Sequence, residues 1–256
     1  MTAPRTTPAT APAYPLRLGD DALIAAQRLL QWCARAPQLE EDVALANICL
    51  DLLGQARALL THAGQLEGRG RDEDTLAFLR TEQEFTHVQL VELDNGDFAV
   101  SMAKLLFFTT YQELLYGRLA ASTDPALAAL AAKAVKESAY HTGHAAAWTV
   151  RLGDGTQESH HRMQHAVDTI WPYTHALFTP DALDRAAAAN GTGIDPATLR
   201  PLWHERITRT LKEATLTVPD DGWAPGGGRQ GIHTEAFGYL LTEMQALHRA
   251  HPGARW

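Results

Sequence analysis

The sequence lacks several features that would assign it to a familiar class of protein. Its 256 residues contain two cysteines, Cys33 and Cys49, which are too few for a disulfide framework and lack the C-x-x-C spacing of a metal site. Because such thiols are typical of a reducing compartment, we expect a cytoplasmic protein. Lys and Arg number 22 against 30 Asp and Glu, with no basic run, so we expect no binding to nucleic acid or to an anionic membrane surface.

Long apolar runs and strand patterns are also missing. No uninterrupted apolar run reaches the ~20 residues that a membrane helix needs, and the N-terminus does not read as a signal peptide. No alternating pattern of useful length predicts a strand. The sequence contains no nucleophile elbow, phosphate-binding loop or dinucleotide fingerprint. With 45% hydrophobic residues, the chain predicts one all-α domain with a large core.

Helices are bracketed by caps, prolines and glycines. The first 15 residues are rich in Pro, Thr and Ala, which predicts a disordered leader. Residues 16–256 then form one domain, with a core bundle at about 20–178 and appended helices at about 179–256. Capping and breaking signals predict long helices at about 20–36, 40–66, 73–93, 97–121 and 124–152. Long helices with short connections are typical of an antiparallel four-helix bundle.

Glu84 and His87 stand three residues apart in TEQEFTH, residues 81–87. In a helix spanning 73–93 they share a face with Leu76 and Val91, so both are predicted to point inward. The same arithmetic gives the other long helices inward carboxylates at Asp51, Glu113 and Glu137. A lone buried carboxylate is costly to desolvate, so several converging ones predict a common partner.

A pair of metal ions is one such partner. Di-iron and di-manganese bundles use a carboxylate from each of two helices and a Glu-x-x-His pair from each of the other two. The candidate ligands here are Asp51, Glu84, His87, Glu113, Glu137 and His141. The set is off-pattern because Tyr140 occupies the place of the second histidine, and His141 follows one residue later, about 100° around the helix. The alternative is an inert polar network, in which Glu137 and His141 share a proton.

The stretch FAVSMAKLLFFTTYQELLYGRLAA, residues 98–121, is apolar nearly all round. A bundle helix that meets only its own core is polar on its outer side, so this helix is expected to have a second surface to cover. Helices from the last third of the chain are one candidate cover, and a partner subunit is the other. A homodimer is the form expected of the chain on its own.

Four segments resemble the C subunits of the bacterial ring-1,2-phenylacetyl-CoA epoxidase family. They are LRLGDDALIAAQRLLQWCARAPQLEEDVALANICLDLLGQARALL, EDTLAFLR, KAVKESAYHTGHAAAW and GIHTEAFGYLLTEMQALHRAHPGARW. The resemblance spans about 14–256 and implies a ferritin-like bundle. It also implies support for a homologous catalytic subunit, which carries the di-iron centre that epoxidises the ring of phenylacetyl-CoA with electrons from a reductase subunit.

The same resemblance bears on the candidate ligands. C subunits usually have a degraded metal set and require no cofactor, and Asp51, Glu137 and His141 stand at positions that the family commonly fills this way. Glu84, His87 and Glu113 add to this set, so it contains more candidate ligands than a degraded site. Weakly bound iron is therefore also compatible with the sequence. Two hypotheses follow: a scaffold subunit without a catalytic centre, or an independent oxygen-activating di-iron protein. Tyr140 favours the scaffold, because it removes a nitrogen ligand.

Overall fold

A computed structural model describes residues 11–254, and over this range the chain is helical and contains no strand. The four longest helices are α1 Ala13–Leu30, α2 Leu39–Glu67, α5 Phe98–Leu119 and α6 Pro125–Gly153. The shorter ones are α3 Glu73–Phe78, α4 Gln89–Glu92, α7 Gln157–Ile170, α8 Ala182–Ala189, α9 Arg200–Glu213 and α10 Glu235–Ala250. Four 3-10 turns, Glu82–Glu84, Trp171–Phe178, Pro196–Leu199 and Gly228–Gln230, lie between them.

Two antiparallel helix pairs, α1 with α2 and α5 with α6, form the bundle. α1 and α2 approach so closely that a Cβ on Gly19 would lie 2.9 Å from the Leu60 side chain. The two pairs meet where α2 faces α6, with hydrogen bonds between the helices. The prediction of an all-α, ferritin-like helical bundle is confirmed.

Capping signals, which involve residues close together in sequence, predicted the long helices α2, α5 and α6 well. The Asp124 carboxylate accepts hydrogen bonds from the backbone N–H groups of Ala126 and Leu127, and Pro125 occupies the first turn of α6. The Asp97 carboxylate likewise caps α5 by accepting from Val100 N. These N-caps satisfy donors that the helix itself leaves unpaired. The predicted bounds of α2, α5 and α6 lie within two residues of the observed ones.

The start of the first helix was predicted wrongly. α1 begins at Ala13, so a disordered leader is wrong for residues 13–15, while residues 1–10 of the predicted leader lie outside the described residues. Tyr14 is buried, and its hydroxyl accepts a hydrogen bond from Ile194 N at 3.1 Å. Asp20, the first residue of the helix predicted at about 20–36, lies buried in the middle of α1.

The predicted helix 73–93 is also wrong, because the chain is α-helical only at α3 and α4 and is irregular between them, apart from the 3-10 turn Glu82–Glu84. The unwound backbone is held by α1: Asp20 accepts from Thr86 N at 2.9 Å, and Asp21 accepts from Val88 N at 2.9 Å. The Arg80 guanidinium pairs with Asp20 and also donates to the Glu84 carbonyl. Side chains of a distant helix therefore replace the hydrogen bonds that a continuous helix would have made.

The outer face of α5 is covered by later segments of the same chain. The apolar sequence of α5 is therefore explained without a partner subunit on that face. The Phe107 ring packs edge-on against Trp171 and Trp203, and Trp203 Nε1 donates to the Phe107 carbonyl at 2.9 Å. Tyr111 packs against Phe178 in the same way. The 3-10 segment after α7 and helix α9 thus bury the second face of α5.

Candidate functional site

The six candidate ligands lie in four separate places. Asp51, Glu137 and His141 lie together between α2 and α6, whereas Glu84, His87 and Glu113 each have other partners. Tyr140, which stands where a second histidine was expected, is 60% exposed. Glu84 and His87 are separated because residues 73–93 do not form the continuous helix that was predicted.

The site between α2 and α6 contains an acid–imidazole pair, His141 with Asp51, and two hydrogen-bonded amides, Gln55 and Gln112. The Nε2 of buried His141 lies 3.0 Å from Asp51 Oδ2, and the Asp51 side chain is 41% exposed. Gln55 donates to Glu137 Oε2 at 3.0 Å, and Glu137 also pairs with Lys133 on the same helix at 3.1 Å. The structure therefore corrects the predicted proton sharing: the hydrogen-bond partner of His141 is Asp51, not Glu137.

Burial governs the charge of His141. Desolvation lowers its pKa below the usual value, and the hydrogen bond with Asp51 offsets only part of that effect. His141 is consequently a neutral imidazole that donates its Nε2 proton to the Asp51 carboxylate. Its buried Nδ1 has no protein hydrogen-bond partner among the described residues, and the same holds for Gln112 Oε1 nearby. The hydrogen-bonding capacity of this cluster is therefore only partly satisfied.

Glu84 and Glu113 have structural roles in place of the predicted ligand role. The exposed Glu84 accepts hydrogen bonds from the backbone N–H and the hydroxyl of Thr81, at 2.7 and 2.9 Å. These bonds, led by the backbone one, lower the pKa of Glu84. Glu113 pairs with Arg206 of α9 at 2.8 Å. Neither carboxylate is bonded to the Asp51–His141 pair, because Thr81 binds Glu84 and Arg206 binds Glu113.

His87 belongs to a second, fully buried cluster with Glu92 and His233. The Glu92 Oε2 atom lies 2.5 Å from His87 Nε2 and 2.8 Å from His233 Nδ1, and Glu92 Oε1 accepts from Thr234 N at 2.6 Å. The His233 Nε2 atom lies 3.0 Å from the carbonyl oxygen of Phe85. The cluster joins the unwound segment after α3 to the segment that enters α10.

The partners in this cluster determine its charges. A carbonyl and a carboxylate only accept hydrogen bonds, so His233, which faces one at each nitrogen, donates twice and is an imidazolium. Burial lowers its pKa, but its bonds to Glu92 and Phe85 outweigh burial and raise the pKa overall. Burial raises the pKa of Glu92, yet the bonds from His233 and His87 bring it down to about 2. Burial lowers the pKa of His87, which is neutral.

Neither cluster fits a two-metal centre. The ligand atoms of His87, Glu92 and His233 lie within 4.8 Å of one another, so by composition they form a candidate cation site. However, the two imidazole rings are stacked, with centroids 4.3 Å apart and planes 18° apart. Nearly parallel stacked rings cannot both direct an in-plane lone pair at one ion, and the nitrogens that face Glu92 carry protons. At the α2–α6 place, Asp51, Glu137 and His141 supply half of the six expected ligands.

Sequence reasoning missed the residues that organise this interior. Asp21 pairs with Arg229 at 2.8 Å, and Glu92 and His233 complete the second cluster. One available signal was the Asp20-Asp21 pair, which falls inside an otherwise apolar helical repeat in LRLGDDALIAAQ. Arg229 and His233 could not be found by helical periodicity, because Arg229 lies in the Gly-rich stretch 226–231 and His233 follows it.

The fold and the candidate site define a class: a ferritin-like helical bundle in which most candidate metal ligands are held in hydrogen bonds and ion pairs. Comparison with known proteins gives the family. A family model described as phenylacetic acid catabolic protein matches residues 1–256, and the chain belongs to that family. It is 48% identical over 244 residues to the C subunit of the 1,2-phenylacetyl-CoA epoxidase of Escherichia coli (strain K12), a match that covers 95% of this chain and 98% of the relative.

Proposed function

We propose that this chain is a non-catalytic subunit of a multicomponent phenylacetyl-CoA epoxidase in phenylacetate catabolism, and that it supports a separate subunit with the di-iron centre. Its 48% identity to the C subunit of such an epoxidase over nearly the whole length supports the assignment to the complex. The proposed cellular site is the cytoplasm. Di-iron chemistry, where it occurs in the complex, would be supplied by the other subunit.

The observation that carries the non-catalytic role is the state of His87. Its Nε2 proton is donated to Glu92, which also receives His233 and Thr234, so binding a metal would break a buried and charge-balanced cluster. Separating such a cluster costs several kcal/mol, because the charges left behind are buried. The unwound backbone, moreover, keeps Glu84 away from His87, so the first Glu-x-x-His pair does not exist in three dimensions.

Metal analysis tests this role directly. The chain would be reconstituted anaerobically with ferrous iron, passed through a desalting column and analysed for iron. We expect weak, sub-stoichiometric binding and no oxo-bridge absorption band after exposure to oxygen. Two irons per chain together with such a band would instead establish the alternative, an independent oxygen-activating di-iron protein.

Turnover tests the supporting role. The chain alone should not epoxidise phenylacetyl-CoA, whereas its addition to the catalytic subunit and the reductase should raise the activity and soluble yield of that catalytic subunit. A matched control is His141→Gln, which alters the remaining acid–imidazole pair at a buried position and leaves the outer surface unchanged. That variant should support turnover like the unaltered chain. Full turnover without this chain would contradict the proposal.

A further inference from the structure

A small cavity lies inside the bundle, between α1, α2, α5 and the short helix α4. Its volume is about 40 Å³. The cavity is separate from both polar clusters described above, because none of their residues lines it. Two of its lining residues, Ala25 and Asn95, are half-buried, so solvent comes nearest to the cavity beside them. Most of the wall consists of six buried apolar side chains: Leu29, Leu52, Leu90, Val91, Leu105 and Phe108.

Two buried cations hold the part of the wall that α4 and the turn after it form. Lys104 Nζ of α5 donates to the carbonyls of Leu93 and Asp94, at 2.5 and 3.1 Å. Arg28 Nε of α1 donates to the Glu92 carbonyl at 2.7 Å. A void persists in a core when the surrounding structure cannot relax into it. Closing this cavity would break hydrogen bonds from buried cations, so the wall does not collapse.

Water has few available partners in this cavity. A buried water typically makes about three hydrogen bonds to polar groups that would otherwise have no partner. In the part of the chain that the structure describes, the polar lining residues Arg28, Ser101 and Lys104 have no buried side-chain N or O atom without a partner. Ser101 Oγ, for example, donates to the Asn95 carbonyl at 3.0 Å and accepts from Trp32 Nε1 at 2.8 Å. The cavity is therefore suited to an apolar occupant.

The volume of the cavity limits the size of that occupant. A water needs about 10–15 Å³ of such space, whereas a cavity of about 150 Å³ holds benzene. At about 40 Å³, this cavity is larger than a single-water site and too small for an aromatic ring. Side chains around an empty space lose dispersion contacts, which a small apolar molecule restores. The size of the cavity and the chemistry of its wall together select a small apolar gas.

We propose that this cavity binds a small apolar gas, and that dioxygen is the member of this class that it takes. The binding site itself does not depend on the proposed function. The choice of dioxygen does rest on it, because an epoxidase needs a source of oxygen atoms and dioxygen is a small apolar one. The chain then holds dioxygen within the complex and does not react with it.

Xenon tests the site with an unreactive probe. The purified full-length chain, with its Leu and Val methyl groups labelled for NMR, would be titrated with xenon, and helium at the same pressures is the control. The methyl signals of Leu52 and Leu90 should shift and saturate with xenon. Those of Leu211 on α9, which is equally buried, should not. Absence of a saturable shift at the two lining leucines would overturn the inference.

Dioxygen is tested through its paramagnetism, which accelerates the relaxation of methyl groups beside it. Under oxygen, relative to nitrogen, the methyl groups of Leu52 and Leu90 should relax much faster, and those of Leu211 should change little. All three leucines are fully buried, so a difference between them reports where dioxygen concentrates. Equal enhancement at all three would overturn the assignment to dioxygen.

A size series at Val91 changes the cavity without changing its polar groups. Val91→Ile adds a methyl group to the wall, so it should weaken xenon binding roughly threefold or more and raise the thermal midpoint by filling empty space. Val91→Ala enlarges the cavity, so it should strengthen xenon binding and lower the midpoint. Circular dichroism of each variant establishes that it folds.

The matched control is the same pair of changes at Val167 on α7, which is buried and does not line the cavity. Val167→Ile should lower the thermal midpoint, because it overpacks a filled part of the core. Neither change at Val167 should alter the xenon shifts of Leu52 and Leu90. Xenon shifts that stay the same across the Val91 series would overturn the inference.

The outcomes distinguish this inference from the proposed function. Gas binding is measured on the isolated chain, so it persists even if the chain fails to support the catalytic subunit, and the proposed function alone then fails. If the chain supports turnover but binds neither xenon nor dioxygen at the cavity, the proposed function stands and the inference is overturned. Magnetisation transfer from water to the Leu90 methyl groups would show a hydrated cavity and would also overturn it.

Discussion

Two polar regions lie inside this bundle, and they differ in how completely their charges are paired. Around α1, Asp20 pairs with Arg80, Asp21 with Arg229, and Glu92 with two histidines, and each of these side chains is at most 11% exposed. Between α2 and α6, Asp51 is 41% exposed and Glu137 pairs with an exposed lysine, Lys133. Buried ring nitrogens without a protein partner among the described residues occur in both regions, at His87 Nδ1 and at His141 Nδ1, so the difference lies in the ion pairs. The paired region holds an irregular backbone segment in place, whereas the unpaired region holds none.

This difference indicates which polar residues contribute most to the stability of the bundle. A buried charge that is fully paired becomes costly when one partner is removed, and here such pairs link segments about 60 to 210 residues apart. A pair that is partly open to water is worth much less. The paired region should therefore dominate stability, although the unpaired region contains half of the candidate metal ligands.

The largest effect is expected for Glu92→Leu. This change removes the shared acceptor of His87, His233 and Thr234 N and leaves the His233 imidazolium buried without its counter-charge. We expect the free energy of unfolding to fall by about 3–5 kcal/mol, as measured by urea denaturation. A loss no larger than that of Glu213→Leu, a control at an exposed position on α9, would show that the two regions do not differ as described.

Acid should weaken the paired region through the same carboxylate. The pKa of Glu92 is lowered from 4.5 to about 2 in the fold, so its stabilisation is present above pH 4.5 and is lost as the pH falls towards 2. The loss attributable to Glu92 is on the order of 3 kcal/mol. The measurement is urea denaturation across this range for the unaltered chain and for Glu92→Gln, which cannot titrate. Parallel curves for the two proteins would contradict this assignment.

His233 gives the same cluster a second limit, at higher pH. Its pKa is raised in the fold, so its stabilisation is complete below the ordinary histidine pKa and is lost as the pH rises through the raised value. His87 and His141 act in the opposite sense, because their pKa values are lowered and their contributions decline as the pH falls below about 6.5. In urea denaturation across this range, His233→Gln should remove the alkaline decline and leave the acid one.

The smallest effect is expected in the region between α2 and α6. A double-mutant cycle with Asp51→Asn and His141→Gln should give a coupling energy of no more than about 1 kcal/mol, because Asp51 is partly exposed. The corresponding cycle for Glu92 and His233 should give a value several times larger. Equal couplings in the two cycles would remove the distinction between the two regions.

The sequence by itself determined the fold class and the long helices α2, α5 and α6. Their bounds follow from signals a few residues apart, such as the Asp97 cap, the Asp124-Pro125 start and Gly68 at the end of α2 with a φ of 68°. The placement of Asp51, Glu137 and His141 on the sides of α2 and α6 that meet followed from the same local periodicity, since it depends only on the helical repeat, although the Asp51 side chain is 41% exposed and not buried.

Only the tertiary structure decided the path of residues 79–97, and with it the fate of Glu84 and His87. That segment unwinds because Asp20 and Asp21, more than 60 residues away in sequence, accept its backbone hydrogen bonds. The covering of α5 by Trp171 and Trp203, and the exposure of Leu39 and Leu50 on α2, were decided in the same way. Periodicity identifies an apolar face but does not identify what lies against it, because that contact joins residues whose separation in sequence carries no pattern.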